Sequence, residues 1–240
     1  MPTPNDILVF GQRLLEGVFG GCRFEEDVFL CGGSFKALLN SRMGINDVDL
    51  WVRDRKRREA LREALVNSGA RVVRDFQPYC IRMDHAGYPV EINYQNVKDR
   101  PITTVLDGFD MAVCCVAVHW RNGQVVESYA HEQYFRSAHD RCIRLQDSFL
   151  DTVRQTRPPS LLRTLDRMEK AAQELEFSLA SEDVRRLWDL FMDYSEEQKR
   201  ECLDNYLETM VGYKGRCNAP VLRRACELLG KSECLIALAA

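Results

Sequence analysis

The chain is predicted to be an α+β protein: an α/β head with a mixed sheet and flanking helices, followed by a helical region. Three observations carry this expectation. Between Val28 and Tyr94, short runs rich in β-branched and aromatic residues surround one long, strongly charged helical stretch. Glycine- and proline-containing turns separate those runs. From about Ser148 the pattern becomes one of long amphipathic stretches of helical period. We therefore expect a head over residues 1–147 and a helical domain over 148–240.

In order along the chain, Ile7, Leu8, Leu14, Leu15, Val18 and Phe19 have helix-compatible spacing behind a Pro4-Asn5-Asp6 start, which predicts a helix over about Asn5–Phe19. Val28–Cys31 is a short apolar strand that runs into Gly32-Gly33-Ser34, after which Phe35, Leu38 and Leu39 resume a helical period. Val48, Leu50 and Val52 alternate with Asp47, Asp49 and Trp51, the period of a strand with unlike faces. Arg55–Ser68 is a charged helix that Gly69 stops. Strands follow at Arg71–Phe76, Tyr79–Met83 and Pro89–Tyr94, divided by Gln77-Pro78 and His85-Ala86-Gly87.

Met111–Trp120 is apolar and predicts a buried strand, although periodicity alone leaves a helix open, and Arg121-Asn122-Gly123-Gln124 reads as a hairpin turn. In the second half, breaks at Pro158-Pro159, Ala180-Ser181, Tyr194-Ser195 and Gly212–Pro220 delimit helices. Leu161, Leu162, Leu165 and Met168 form one apolar face, and Val184, Leu187, Trp188 and Phe191 another, with Ser181 as the expected N-cap.

With 45% hydrophobic and 29% charged residues over 240 positions, the chain can bury a core and divide into one or two domains. The apolar run Ile7–Phe10 is far too short to span a bilayer and no basic segment precedes it, so a cytoplasmic protein without a membrane partner is expected. Ten cysteines in a chain of this size, with no export signal, read as reduced thiols. There is no Cys-x-x-Cys, and His85, His119, His131 and His139 are dispersed, which speaks against a zinc site. Cys114 and Cys115 are expected to pack on opposite sides of a strand.

The net charge of −3 means that nucleic-acid binding would need a local basic patch. One candidate is Arg53, Arg55, Lys56, Arg57 and Arg58, for which a solvated helix face is the simpler reading. The other is Arg154, Arg157, Arg163 and Arg167.

Asp47 and Asp49 lie two apart on a strand, so both carboxylates project from one face while Val48 and Leu50 anchor the other. Such a pair repels itself unless a cation is bound, and carboxylate oxygens suit hard ions such as magnesium. An Asp-x-Asp pattern alone is equally explained by a solvent-facing strand. The turn upstream adds specificity, because Gly32-Gly33-Ser34 allows close backbone approach and presents amides and a hydroxyl where a phosphate would sit.

Strand, Gly-Gly-Ser, helix, then an acidic-hydrophobic-acidic strand: in that order Phe29-Leu30-Cys31-Gly32-Gly33-Ser34 and Asp47-Val48-Asp49-Leu50 resemble the signature of the DNA polymerase β-like nucleotidyltransferase superfamily. The nearest likeness is to the head and neck of tRNA nucleotidyltransferases that add CCA and of bacterial poly(A) polymerases, over residues 28–120 and more loosely to about 180.

The resemblance implies a metal-dependent enzyme that transfers a nucleoside monophosphate from a nucleoside triphosphate to an acceptor, an RNA 3′ end (tRNA-like) or a small molecule, and releases pyrophosphate. It implies two magnesium ions, replaceable by manganese, on Asp47 and Asp49, with Glu91 in Pro89-Val90-Glu91-Ile92-Asn93 as the third catalytic carboxylate. It places the nucleotide on Gly32, Gly33, Ser34, Lys36, Asp110, Arg163 and Arg167.

Phe109-Asp110-Met111-Ala112-Val113-Cys114 is similar to the Arg-Asp-Phe-Thr-Ile-Asn element of CCA-adding enzymes, but carries Phe109 in place of arginine and Cys114 in place of asparagine, so Asp110 is an accessory residue. The family's Glu-Asp-x-x-Arg pattern is absent, and base choice is not implied. The contrasting expectation is a non-catalytic nucleotide-binding or regulatory protein, of a toxin–antitoxin type, that keeps the fold.

Overall fold

The computed structural model describes residues 1–22, 24–151, 161–213 and 218–230. Arg154, Arg157, the Pro158-Pro159 break, Cys217 and Cys234 lie outside them. The chain divides into two compact units, Met1–Asp140 and Arg141–Ala240.

The first unit opens with α1 (Pro4–Phe19), started by Thr3, whose hydroxyl accepts from the Asp6 amide while the Asp6 carboxylate accepts from the Thr3 amide. Its sheet contains β1 (Val28–Cys31), β2 (Val48–Trp51), β3 (Arg71–Phe76), β4 (Cys80–His85), β5 (Tyr88–Asn93), β6 (Val116–Arg121) and β7 (Gln124–Ala130). The spatial order is β3-β4-β5-β2-β1-β6-β7, and only β2 and β5 run parallel. The fold is thus α+β with a mixed sheet, as predicted, and the sheet has seven strands.

Two hairpins follow from turn chemistry: Asn122 and Gly123 (φ +50° and +82°) close β6–β7, and Ala86 and Gly87 (φ +50° and +83°) close β4–β5. The parallel β2–β5 pair needs a long connection, which contains α2 (Arg55–Asn67), capped by Asp54, and the β3–β4 ribbon.

Strand alternation sorts the two faces. Leu30, Val48, Leu50, Ile81, Met83, Val90, Ile92, Val116 and Val118 form one core with Ile7, Leu15 and Val18 of α1 and Leu61 and Leu65 of α2. Gly11 lets α1 approach closely, because a Cβ there would lie 2.7 Å from Cγ2 of Val118. On the opposite face Phe29, Cys31, Trp51 and Ala117 pack under Val97, Ile102, Val105 and Leu106, the last two from the short α3 (Thr103–Leu106). That face also carries Asp49 and Glu91, opposed in register on β2 and β5. The unit ends with α4 (Glu132–Asp140).

Several local expectations are corrected. The segment after Gly32 is a 3-10 helix, Gly33–Leu38, rather than the α-helix its period suggested. Met111–Trp120 is a strand only from Val116, with Ala112–Cys114 in a 3-10 turn, so Cys114 and Cys115 are buried but do not face opposite sides of a strand. The first basic group is not uniformly a solvated face. Arg58 is buried with its guanidinium over the Tyr94 ring and donates to the Tyr94 carbonyl (3.0 Å), and Arg57 pairs with Glu26 (2.7 Å).

The second unit holds α5 (Leu161–Leu175), α6 (Ser181–Asp193), α7 (Glu196–Tyr206), a π-helical turn (Leu207–Tyr213) and α8 (Ala219–Leu228). It also contains a two-stranded parallel ladder, β8 (Cys142–Ile143) with β9 (Ser178–Leu179). Ser181 is the first residue of α6 rather than its cap, which is Ala180 with no side-chain bond. Buried Asp166 on α5 joins three segments, accepting from the Tyr206 hydroxyl (2.7 Å) and the Asn218 amide (3.1 Å). Among the described residues no helix is long and apolar enough to cross a membrane.

Asp27, just before β1, gathers the far end of the sheet. Its carboxylate lies 2.5 Å from Arg121 Nε, 2.8 Å from His119 Nε2 and 3.0 Å from Arg53 Nε. The Arg121 hydrogen bond chiefly, with those of His119 and Arg53, holds its carboxyl well below the ordinary 3.8 against the opposing effect of burial. A depressed acid contributes stability above its unfolded pKa and loses it as pH falls toward the folded value. Asp27→Asn should therefore lower stability to urea by about 2 kcal/mol at pH 7. The gap to wild type should close as pH falls below about 4, which equilibrium unfolding across pH will check.

Candidate active site

The site is built where β1 ends and β2 begins. β1 delivers Gly32, whose amide continues the ladder by donating to the Val116 carbonyl (3.0 Å). Its backbone (φ +85°, ψ −130°) lies in a region that L side chains rarely adopt, and this turns the chain back across β2. The Ser34 hydroxyl, buried, then donates to the Asp47 carbonyl at 2.8 Å and ties the turn to the start of β2.

This tie brings the two motifs together. A Cβ at Gly32 would lie 3.6 Å from Asp49 Oδ2, and one at Gly33 would lie 3.5 Å from Asp47 Oδ1 and 3.8 Å from Lys36 Cε. The turn is therefore laid along both carboxylates with no side chain of its own between. Phe109 closes one side, its ring 3.4 Å from the position of a Gly32 Cβ and 6.1 Å from the Trp51 ring. Asp110 beside it is buried. Where the resembling element has arginine, an aromatic ring thus lies against the glycine turn.

Beneath, Cys31 is fully buried, and burial first, then the charge of Asp49, pushes its thiol well above 9.0. Glu91 stands opposite Asp49 in register and is 7% exposed. Its carboxylate meets Arg82 Nη1 at 3.5 Å and accepts from Cys80 Sγ at 3.6 Å. Among the described residues, no group of three or more His, Cys, Asp or Glu side chains converges to hold a metal ion.

The structure thus brings together Gly32, Gly33, Ser34, Lys36, Asp47 and Asp49, with Glu91 adjoining Asp49. The Ser34 hydroxyl has a holding role within the turn. Arg163 and Arg167 belong to the second unit, half-buried on α5 one turn apart, and Lys170 on the same helix pairs with Glu174 at 3.2 Å. Arg82 was not singled out by sequence reasoning. Its alternation with Ile81 and Met83 marks a polar-facing position, but its neighbours depend on strand register. A cleft of about 300 Å³ bounded by Glu25, Glu26, Asp27, Lys56, Arg57 and Arg121 lies at the Asp27 end of β1, away from the carboxylates.

Gly32→Ala should cost about 1–3 kcal/mol from backbone strain, since its Cβ contacts are of ordinary length. Gly33→Ala, without a positive φ, should change stability by no more than about 0.5 kcal/mol. Urea unfolding of the two variants side by side checks the contrast.

No protein-family model matches the sequence, and no curated protein matches it. Solved structures do. A tRNA-processing enzyme in an apo form superposes with a TM-score of 0.56 at 16% identity, over 98% of this chain and 60% of that one. A tRNA nucleotidyltransferase solved with a primer tRNA and an incoming ATP analogue gives 0.52 at 18% identity, over 82% and 63%. The Bacillus stearothermophilus CCA-adding enzyme in complex with CTP gives 0.51 at 17% identity, over 100% and 56%. The chain therefore spans about 60% of the length of the solved structures it resembles. What they share with it is architecture: the chain has the fold seen in these solved tRNA-processing and tRNA nucleotidyltransferase structures.

Proposed function

We propose that the chain is a metal-dependent nucleotidyltransferase that moves a nucleoside monophosphate from a nucleoside triphosphate to a hydroxyl acceptor. The observation that carries the reading is the packing of Gly32-Gly33 against the carboxylates of Asp47 and Asp49. Two hard oxygen donors beside backbone that bears no side chain suit magnesium, which takes one or two protein carboxylates and completes its shell with water and substrate phosphates. Bound there, magnesium or manganese supplies Lewis-acid polarisation and neutralises charge on the reacting phosphate.

The chain's own residues bind and orient. Asp49 on β2 and Asp47 immediately before it hold the cation, and the buried Val48 and Leu50 give that strand its rigidity. Gly33 and Ser34 admit the triphosphate close to the backbone, and Lys36, whose stem lies beside Gly33, offsets phosphate charge. Phe109 and Trp51 limit water on the Asp49 side. In the transfer, the acceptor oxygen bonds to the α-phosphorus and gives its proton to water. The bond from that phosphorus to the bridging oxygen breaks, and pyrophosphate leaves with the electron pair.

For the acceptor we propose an RNA 3′ end. Support comes from the fold shared with an enzyme solved with a primer tRNA.

Incubated with magnesium, labelled triphosphates and total RNA, the wild-type chain should label RNA and release pyrophosphate. Asp47→Asn or Asp49→Asn should cut transfer at least about a hundredfold with an unchanged circular dichroism spectrum. Unchanged turnover in either variant removes these carboxylates from the mechanism. Triphosphate binding without transfer to any acceptor would favour a regulatory protein instead.

A further inference from the structure

Glu91 stands where a third metal ligand is expected, yet its carboxylate is engaged on the other side of its strand. β5 runs between β2 and β4. Asp49 faces Glu91 from β2, whereas Arg82 and Cys80, which meet Oε1 at 3.5 Å and Oε2 at 3.6 Å, both belong to β4. Arg82 and Glu91 are direct cross-strand partners, an arrangement that favours opposite charges. With side chains 31% and 10% exposed, the pair is shielded enough to be stronger than a pair on the open surface.

We infer that Arg82 is a positioning residue that binds Glu91 from β4 and keeps it out of the metal-ligating set, leaving Asp47 and Asp49 as the two protein ligands; this rests on the nucleotidyltransferase reading above. Three carboxylates drawn to one cation would crowd like charge onto adjacent strands. Arg82 cancels the charge of Glu91, so the pair adds none to the site. A set of two carboxylates also accords with magnesium sites that rely on substrate phosphate. It accords as well with the lack of a three-ligand cluster among the described residues.

The test is Mn²⁺ affinity of the full chain, titrated in the presence of a non-hydrolysable triphosphate, a readout independent of turnover. The Arg82→Gln/Glu91→Gln double variant leaves net charge unchanged and should bind within about threefold of wild type, while Asp49→Asn should lose at least about tenfold. Arg82→Gln alone should release Glu91 toward the metal and tighten binding about threefold or more, and Arg82→Lys should restore the wild-type value.

A loss of about tenfold in the double variant would make Glu91 a ligand and overturn the inference. So would an Arg82→Gln variant that binds no more tightly than wild type, a comparison that still decides the matter if the double variant fails to fold. A wild-type chain that binds no Mn²⁺ would remove the nucleotidyltransferase reading and this inference with it, whereas the other two outcomes leave that reading standing.

Discussion

Asp49 and Glu91 are opposed on neighbouring parallel strands, and the rest of the site is arranged around that juxtaposition. Strands lie about 4.8 Å apart, so like charges directly opposite repel unless something intervenes. The sheet separates them by what stands on either side. Glu91 has Arg82 and Cys80 from β4, while Asp49 has the glycine turn at the end of β1. One carboxylate is thereby tied into the sheet and the other is presented to the surface over which the Gly-Gly turn passes.

That arrangement needs a stiff support. The apolar residues between the acids, Val48 and Leu50, are fully buried against the layer formed by α1 and α2. In the same layer Gly11 brings α1 close against Val118 of β6. At the other end of the sheet Asp27 draws together Arg53, which follows β2, and His119 and Arg121 of β6. Acidic residues thus have two distinct uses in one sheet: Asp27 is surrounded by cations of the protein and joins segments, whereas Asp47 and Asp49 border a turn without side chains. In the second unit Asp166 again joins segments, through Tyr206 and Asn218.

Much of this was legible from residue order. The alternation Val48-Asp49-Leu50 predicted which side chains share a face of β2, because strand geometry forces successive residues to opposite sides, although the strand begins at Val48 and Asp47, expected on it, precedes it. Asn122-Gly123 predicted its hairpin because few residues accept positive φ. Other readings missed for identifiable reasons. Ala112–Cys114 is apolar enough for a strand, but the chain makes a 3-10 turn there before joining β6. Arg58 looked like part of a solvated face, yet the Tyr94 ring and carbonyl give its guanidinium a buried partner. The tie from the Ser34 hydroxyl to the Asp47 carbonyl was not read either, because it joins residues 13 apart in the chain.

The sequence by itself determined the glycine turn, the acidic strand, the element order around them and the α+β class, since all depend on interactions among residues close in the chain. Only the tertiary structure decided that the turn lies along both carboxylates, that Phe109 walls it, and that Glu91 is met by Arg82. Those relations depend on strand order and register. Sliding β4 by one residue past β5 would turn Arg82 to the opposite face, and the local sequence of either strand does not record which neighbour it will have.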